Sequence, residues 1–121
     1  RAPHLGDFRR KKRLSARAEW HFGGGPEYCA ECPERCADCS YQRDAPATVE
    51  GWEVWDVIER CSGQLRMGAM GPVGLDFIAA FQMAAALGYC STALGELLPA
   101  AEAGLMRGIM RRMKKNEDGQ S

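Results

Sequence analysis

Four of the six cysteines in this 121-residue chain fall within eleven positions: Cys29, Cys32, Cys36 and Cys39. The spacing is C-x2-C-x3-C-x2-C, and it constrains the surrounding chain more than any other feature. A two-residue gap lets both sulfurs of a tight turn face one ion, and zinc accepts four thiolates in a tetrahedron. The three-residue spacer is shorter than in most structural sites, so a closed four-thiolate site here is cramped. Cys61, Cys90 or His21 could replace one ligand, which would staple the segment onto the rest of the protein. An iron–sulfur cluster is the metal alternative, since cluster-binding runs use similar gaps. Disulfides or free thiols remain open, but disulfides need an oxidising compartment. Four thiolates fill the shell of zinc and leave no position for water or substrate, so the expected role is structural. Metal binding would then supply folding energy to a segment too short to bury a core. Glu31, Glu34 and Asp38 read as solvated loop charges beside it.

The length suits one modest domain, and formal charge balances at zero. That balance hides two basic ends around an acidic centre. Residues 1–20 carry seven basic groups against two acids, 21–106 four against twelve, and 107–121 five against two. Such ends suit contact with an acidic protein surface or with nucleic acid, or they are solvated tails. No apolar run reaches the roughly 18 residues needed to span a membrane, and the N-terminus lacks the apolar stretch of a secretory signal. Position 1 is Arg, which points to processing, trimming or a segment of a longer product.

Periodicity predicts a mainly α protein: a small bundle of three to four helices with an N-terminal cysteine-rich metal-binding arm. The expected divisions are a basic segment at 1–22, a Gly-rich and cysteine-rich loop at 23–47, a helical domain at 48–115 and a disordered tail at 116–121. Within the first, a helix over Gly6–Trp20 has only a thin apolar face. Thr48 is placed to cap a helix running to Met67, with Val54, Val57, Ile58, Cys61 and Leu65 on one face. Residues 68–74 break that helix, and no alternating strand pattern is visible. A second helix over Leu75–Leu87 has Leu75, Ile78, Phe81 and Ala85 along one side, with Phe77 and Ala84 beside them, and should start near Asp76 and end at Gly88. A third helix starts at Ser91 or Thr92. Pro99 is expected to open a fourth, because proline fits a first turn. That last helix aligns Glu102, Leu105, Met106, Ile109, Met110 and Met113.

The chain has only His4 and His21 as histidines, and no paired carboxylates or nucleophile motif support catalysis, so the expectation is not an enzyme. The glycines at 68, 71 and 74 lack the strand and the Lys-Ser/Thr pair of a phosphate-binding loop and read as a tight corner between helices. Met106, Met110 and Met113 suit either core packing or an adaptable partner surface. Trp52 is a core anchor or an edge residue open to a partner.

The stretch Trp55–Leu105 resembles a small family encoded in the tail-assembly gene cassettes of tailed bacteriophages. The resemblance rests on Gln64-Leu65-Arg66-Met67-Gly68, then Gly71-Pro72-Val73-Gly74-Leu75-Asp76-Phe77, then a small-residue helix ending at Gly88. Leu65 stands where the family has Trp, and Phe77 where it often has Tyr. The resemblance implies a tail assembly chaperone that binds tail-tube or tape-measure protein in the cytoplasm of the infected host, with retention in the virion left open. A frameshifted product of such a cassette would have no initiating Met, in keeping with Arg1. The alternative is a metal-stabilised nucleic-acid module using Arg9–Arg13 on phosphates, although the residues around the cysteines are acidic.

Overall fold

The computed structural model describes residues 5–31 and 40–119. The chain runs α1 (Leu5–Phe22), α2 (Gly25–Glu31), α3 (Ser40–Arg43), α4 (Val49–Cys61), β1 (Leu65–Gly68), β2 (Gly71–Leu75), α5 (Phe77–Leu87) and α6 (Ser91–Gly119). It is mainly helical, as expected, with one two-stranded sheet. Of the four cysteines in the C-x2-C-x3-C-x2-C segment, only Cys29 lies within the described residues, by its backbone in α2.

Helix starts follow local chemistry. The Thr48 hydroxyl accepts the Gly51 N–H at 3.0 Å, which satisfies one of the donors left open at the start of α4. Asp76 does the same for α5 by accepting the Ala79 N–H at 3.2 Å. Gly88 ends α5 in the left-handed region at φ 75°, where a side chain would be strained.

The core is assembled around α6. Leu94, Leu97, Leu98, Ala101 and Leu105 are buried there against Val54, Trp55, Val57, Ile58 and Cys61 of α4. α1 also packs on α6, more extensively than any other pair of elements. It enters the core with Leu14 and Ala18. The expected basic segment is therefore an integral helix of the bundle. Its thin apolar face suffices because two glycines of α6 let the backbones touch. A Cβ on Gly104 would run into the Ser15 carbonyl, and one on Gly108 would lie 2.7 Å from the Glu19 carbonyl oxygen. Ala18 fits the same seam, with its Cβ 3.0 Å from that Gly104 position. Small residues four apart, Gly104 and Gly108, thus replace large apolar ones in making a close crossing.

Four expectations are corrected. α4 stops at Cys61 rather than Met67, because Ser62 and Gly63 follow and the chain turns into β1. Residues 65–75 form an antiparallel hairpin where no strand was expected. Burial is confined to adjacent Gly74 and Leu75, with Leu65 half-buried opposite, so no alternation marks it in the sequence. Pro99 does not open a fourth helix but lies inside α6. Its ring is exposed, and buried Leu97, Leu98 and Ala101 on either side hold the helix through the missing hydrogen bond. Finally, α6 remains helical to Gly119, past the expected start of a disordered tail at Asn116.

Candidate functional site

The residues of the tail-family resemblance build the hairpin and its attachment. Leu65 pairs with Leu75, Arg66 with Gly74, Met67 with Pro72 and Gly68 with Gly71. The register slips between Arg66 and Met67, so Val73 has no partner and is a bulge. Gly71, at φ 122°, turns the tip where side chains are disfavoured. At the base, the Gln64 carbonyl accepts the Asp76 N–H at 2.8 Å. Leu75 is completely buried and held at both backbone groups: its N–H donates to Glu102 Oε2 at 2.9 Å, and its carbonyl accepts from Arg66 Nε at 3.4 Å. Gly74 is needed beside them. A Cβ there would stand 2.7 Å from the Arg66 guanidinium and 3.0 Å from the Glu102 carboxylate. Gln64, Arg66, Gly68, Gly71, Gly74, Leu75, Asp76 and Phe77 thus fix where α5 leaves the hairpin and how it docks on α6.

What they position is an apolar helix with an uncovered face. α5 contains no charged residue, yet its buried residues are Ala80 and Ala84. Most of the expected apolar side is turned outward: Ile78 is 74% exposed, and Phe81 and Ala85 are exposed too, whereas Ala84 beside them is buried. Leu75 alone of that expected stripe is buried, and it belongs to β2. Phe77, Ile78, Phe81, Gln82 and Ala85 line a shallow open groove of about 440 Å³. The reversal has a simple cause. Alanines 80 and 84 allow α5 close to its neighbours, and larger side chains on that side would hold it away.

The methionines also gather at the surface. Met67, Met70, Met110 and Met113 are exposed, while Met83 and Met106 are half-buried. Met113 reaches the hairpin tip, its Cε 3.7 Å from the Cβ position of Gly71. Core packing therefore does not account for Met110 and Met113. Nearby basic groups are engaged: Arg107 and Arg111 pair with Glu19, and Arg112 with Glu27 at 2.8 Å. The Arg107 hydrogen bond leads in holding the Glu19 carboxyl below its usual value, with Arg111 adding to it.

The alternate thiol-site ligands lie in different settings. Cys61 is sealed in the core, where burial pushes its thiol pKa up. A ligand thiolate at Cys61 would need that core opened. Cys90 is exposed beside the start of α6, its N–H donating to Glu53 at 3.4 Å. His21 is half-buried among rings, edge-on to Trp55 at 5.2 Å and to Phe22 at 4.8 Å. Burial lowers its pKa. Among the described residues no group of three or more His, Cys, Asp or Glu side chains could hold a metal. Cys32, Cys36 and Cys39 lie outside those residues.

Trp52 is 47% exposed, with the Arg17 guanidinium 5.2 Å from its ring centre and 4.6 Å from that of Trp55. Arg17 is itself buried. Sequence reading passed over it because a lone arginine in a basic helix carries no burial signal. A cation between two indoles is favourable once desolvated, so Trp52 acts first as a clamp between α1 and α4. The Gly104/Gly108 pair was also passed over, although its four-residue spacing was a usable signal for a close helix contact.

Among the described residues no helix is long and apolar enough to cross a membrane. Residues 65–119, from the hairpin to the end of α6, match a family described as a family of unknown function, DUF7697. No curated protein and no solved structure matches the chain.

Proposed function

We propose that this protein acts by binding other proteins, as a tail assembly factor of the kind its Trp55–Leu105 stretch resembles. The outer face of α5 is the binding surface. One observation carries this reading: a charge-free helix leaves Ile78 and Phe81 in solvent. Contiguous apolar surface of that sort is costly in water and marks interaction sites. The exposed methionines at 67, 70, 110 and 113 supply a second, adaptable surface. The partner is tail-tube or tape-measure protein, met in the cytoplasm of the infected host before the tail polymerises. The protein performs no catalysis of its own.

Cys29, Cys32, Cys36 and Cys39 hold a structural zinc ion in this reading. Support comes from the donor set and its spacing in the sequence. Metal analysis of purified protein should return one zinc per chain, and a metal-free, fully folded protein removes the site.

Co-purification tests the binding role. Tail-tube or tape-measure protein from the same gene cassette should be retained by the intact chain and lost with Ile78→Asp/Phe81→Asp, whose far-ultraviolet circular dichroism should be unchanged. Failure of the intact chain to retain either partner sinks the tail-assembly reading. The nucleic-acid alternative predicts DNA binding that weakens steeply with salt. Arg107, Arg111 and Arg112 already face carboxylates, so in that alternative the phosphate contact falls to Arg9–Arg13.

A further inference from the structure

The N-terminal half contains a pocket that neither the hairpin nor α5 explains. Its volume is about 230 Å³, and it lies between α1 and the segment leading into α4. Leu14 and Pro46 form its buried floor, with Gly51 beside them. Gly51 keeps this corner tight: a Cβ there would sit 3.0 Å from the Pro46 Cβ. Arg9, Arg10 and Arg13 line the α1 side, and Thr48 the other. Among the described residues no carboxylate lines the pocket. Among the described residues none forms an ion pair with Arg9 or Arg13.

We propose that this pocket docks an acidic, apolar peptide segment of a partner protein: an apolar side chain fills it while flanking carboxylates meet Arg9 and Arg13. The cavity and the convergent arginines carry the assignment. The floor is apolar, so charge alone does not satisfy it. The rim is cationic, so an apolar group alone does not either. Guanidinium groups match carboxylates in geometry, forming paired hydrogen bonds. The positive end of the α4 dipole opens at the same corner and favours the same charge. A nucleic-acid strand fits less well, because one small apolar pocket offers no track for successive phosphates and no aromatic platform for bases. The inference rests on the reading of the chain as protein-binding, and it assigns a second contact that shares no residue with the α5 face.

The test uses the full chain and a fluorescein-labelled peptide of sequence Gly-Ser-Glu-Phe-Asp-Leu-Glu-Ser-Gly, followed by fluorescence anisotropy. Saturable binding is expected, weakened several-fold when salt rises from about 0.05 to 0.3 M. Arg9→Glu/Arg13→Glu should weaken binding by about tenfold or more, and the milder Arg9→Gln/Arg13→Gln by less. Both variants should keep the circular dichroism of the parent. A peptide with Gln and Asn in place of the acids should bind as poorly as the double charge reversal does.

No saturable binding below about 1 mM overturns the proposal. So does an affinity that both double variants leave unchanged. A single-stranded oligonucleotide that binds more tightly than the peptide, and loses affinity in the same variants, reassigns the pocket to nucleic acid. Ile78→Asp/Phe81→Asp should leave peptide binding intact. Peptide binding without tail-protein capture therefore removes only the tail-assembly reading, and the converse removes only the pocket.

Discussion

α1 and α5 both pack on α6, and each does the opposite of what its composition suggests. α1 carries the unbroken basic run Arg9–Arg13, yet it makes the most extensive helix contact in the molecule. α5 has no charge at all, yet it sends Ile78 and Phe81 into solvent. The difference lies in the partner surface. α6 offers α1 two glycines, so the backbones meet and Leu14 and Ala18 suffice to close the seam. α5 approaches through Ala80 and Ala84, which leaves its larger side chains on the far side. Burial here follows how closely two backbones can come, and average hydrophobicity is a poor guide to it. The contrast also separates roles: α1 is a structural member, and α5 is a structural member with an unused face.

The largest expected effect is on the side of α1. Leu14→Ala removes a fully buried side chain and should cost about 2–5 kcal/mol in urea unfolding. A loss below about 1 kcal/mol would mean that α1 is only loosely docked, and the contrast with α5 would collapse. Next comes Gly104→Ala. The substitution improves helix propensity by about 1 kcal/mol, but its Cβ meets the Ser15 carbonyl, so a net loss of about 1–3 kcal/mol is expected. A gain in stability would show that the backbones do not touch there.

A smaller effect should appear in acid. His21 of α1 has its pKa lowered by burial, so the folded protein holds it neutral more readily than the unfolded chain does. Its contribution is complete above the unfolded value near 6.5 and is lost as pH falls below that toward the folded value. Glu19 has its pKa lowered chiefly by Arg107, and its contribution is lost lower, as pH drops beneath the ordinary carboxylate range. Urea midpoints should therefore decline in two stages on acidification. His21→Gln should flatten the first stage only. A first stage that survives the substitution assigns it to another group.

The smallest effect is expected on α5. Ile78→Ser should change stability by no more than about 0.5 kcal/mol, while weakening capture of the partner. A larger destabilisation would show the face to be covered within the folded chain, and the binding reading would lose its main support.

Much of the helical framework was legible because it depends on neighbours in sequence. Thr48, Asp76 and Gly88 mark helix ends through hydrogen bonds and backbone conformations that span a few residues. Val54, Val57, Ile58 and Cys61 repeat at helical spacing and are buried as that repeat implies. The hairpin was illegible because a lone two-stranded ribbon with burial confined to adjacent Gly74 and Leu75 leaves no alternating signal. α5 was misread for a different cause. Its repeat supports two apolar faces, alanine-rich and bulky, and periodicity cannot choose between them. Pro99 misled because its usual place is a first turn, while packing on both sides of it carries α6 through.

The candidate site divides along the same line. The family resemblance singled out residues 64–77, but their work became visible only when Glu102, far along the chain, was found holding the Leu75 N–H. Arg17 between Trp52 and Trp55 gave no local sign at all.

By itself, then, the sequence determined a mainly helical chain, its principal helix starts and stops, and a cluster of four cysteines close in sequence, because capping and periodicity act over a few residues. The tertiary structure alone decided which face of α5 meets water, that a basic helix belongs to the core, and that three arginines gather over an apolar pocket. Those outcomes depend on the distance between backbones remote in sequence, and that distance is set by the small residues at each crossing.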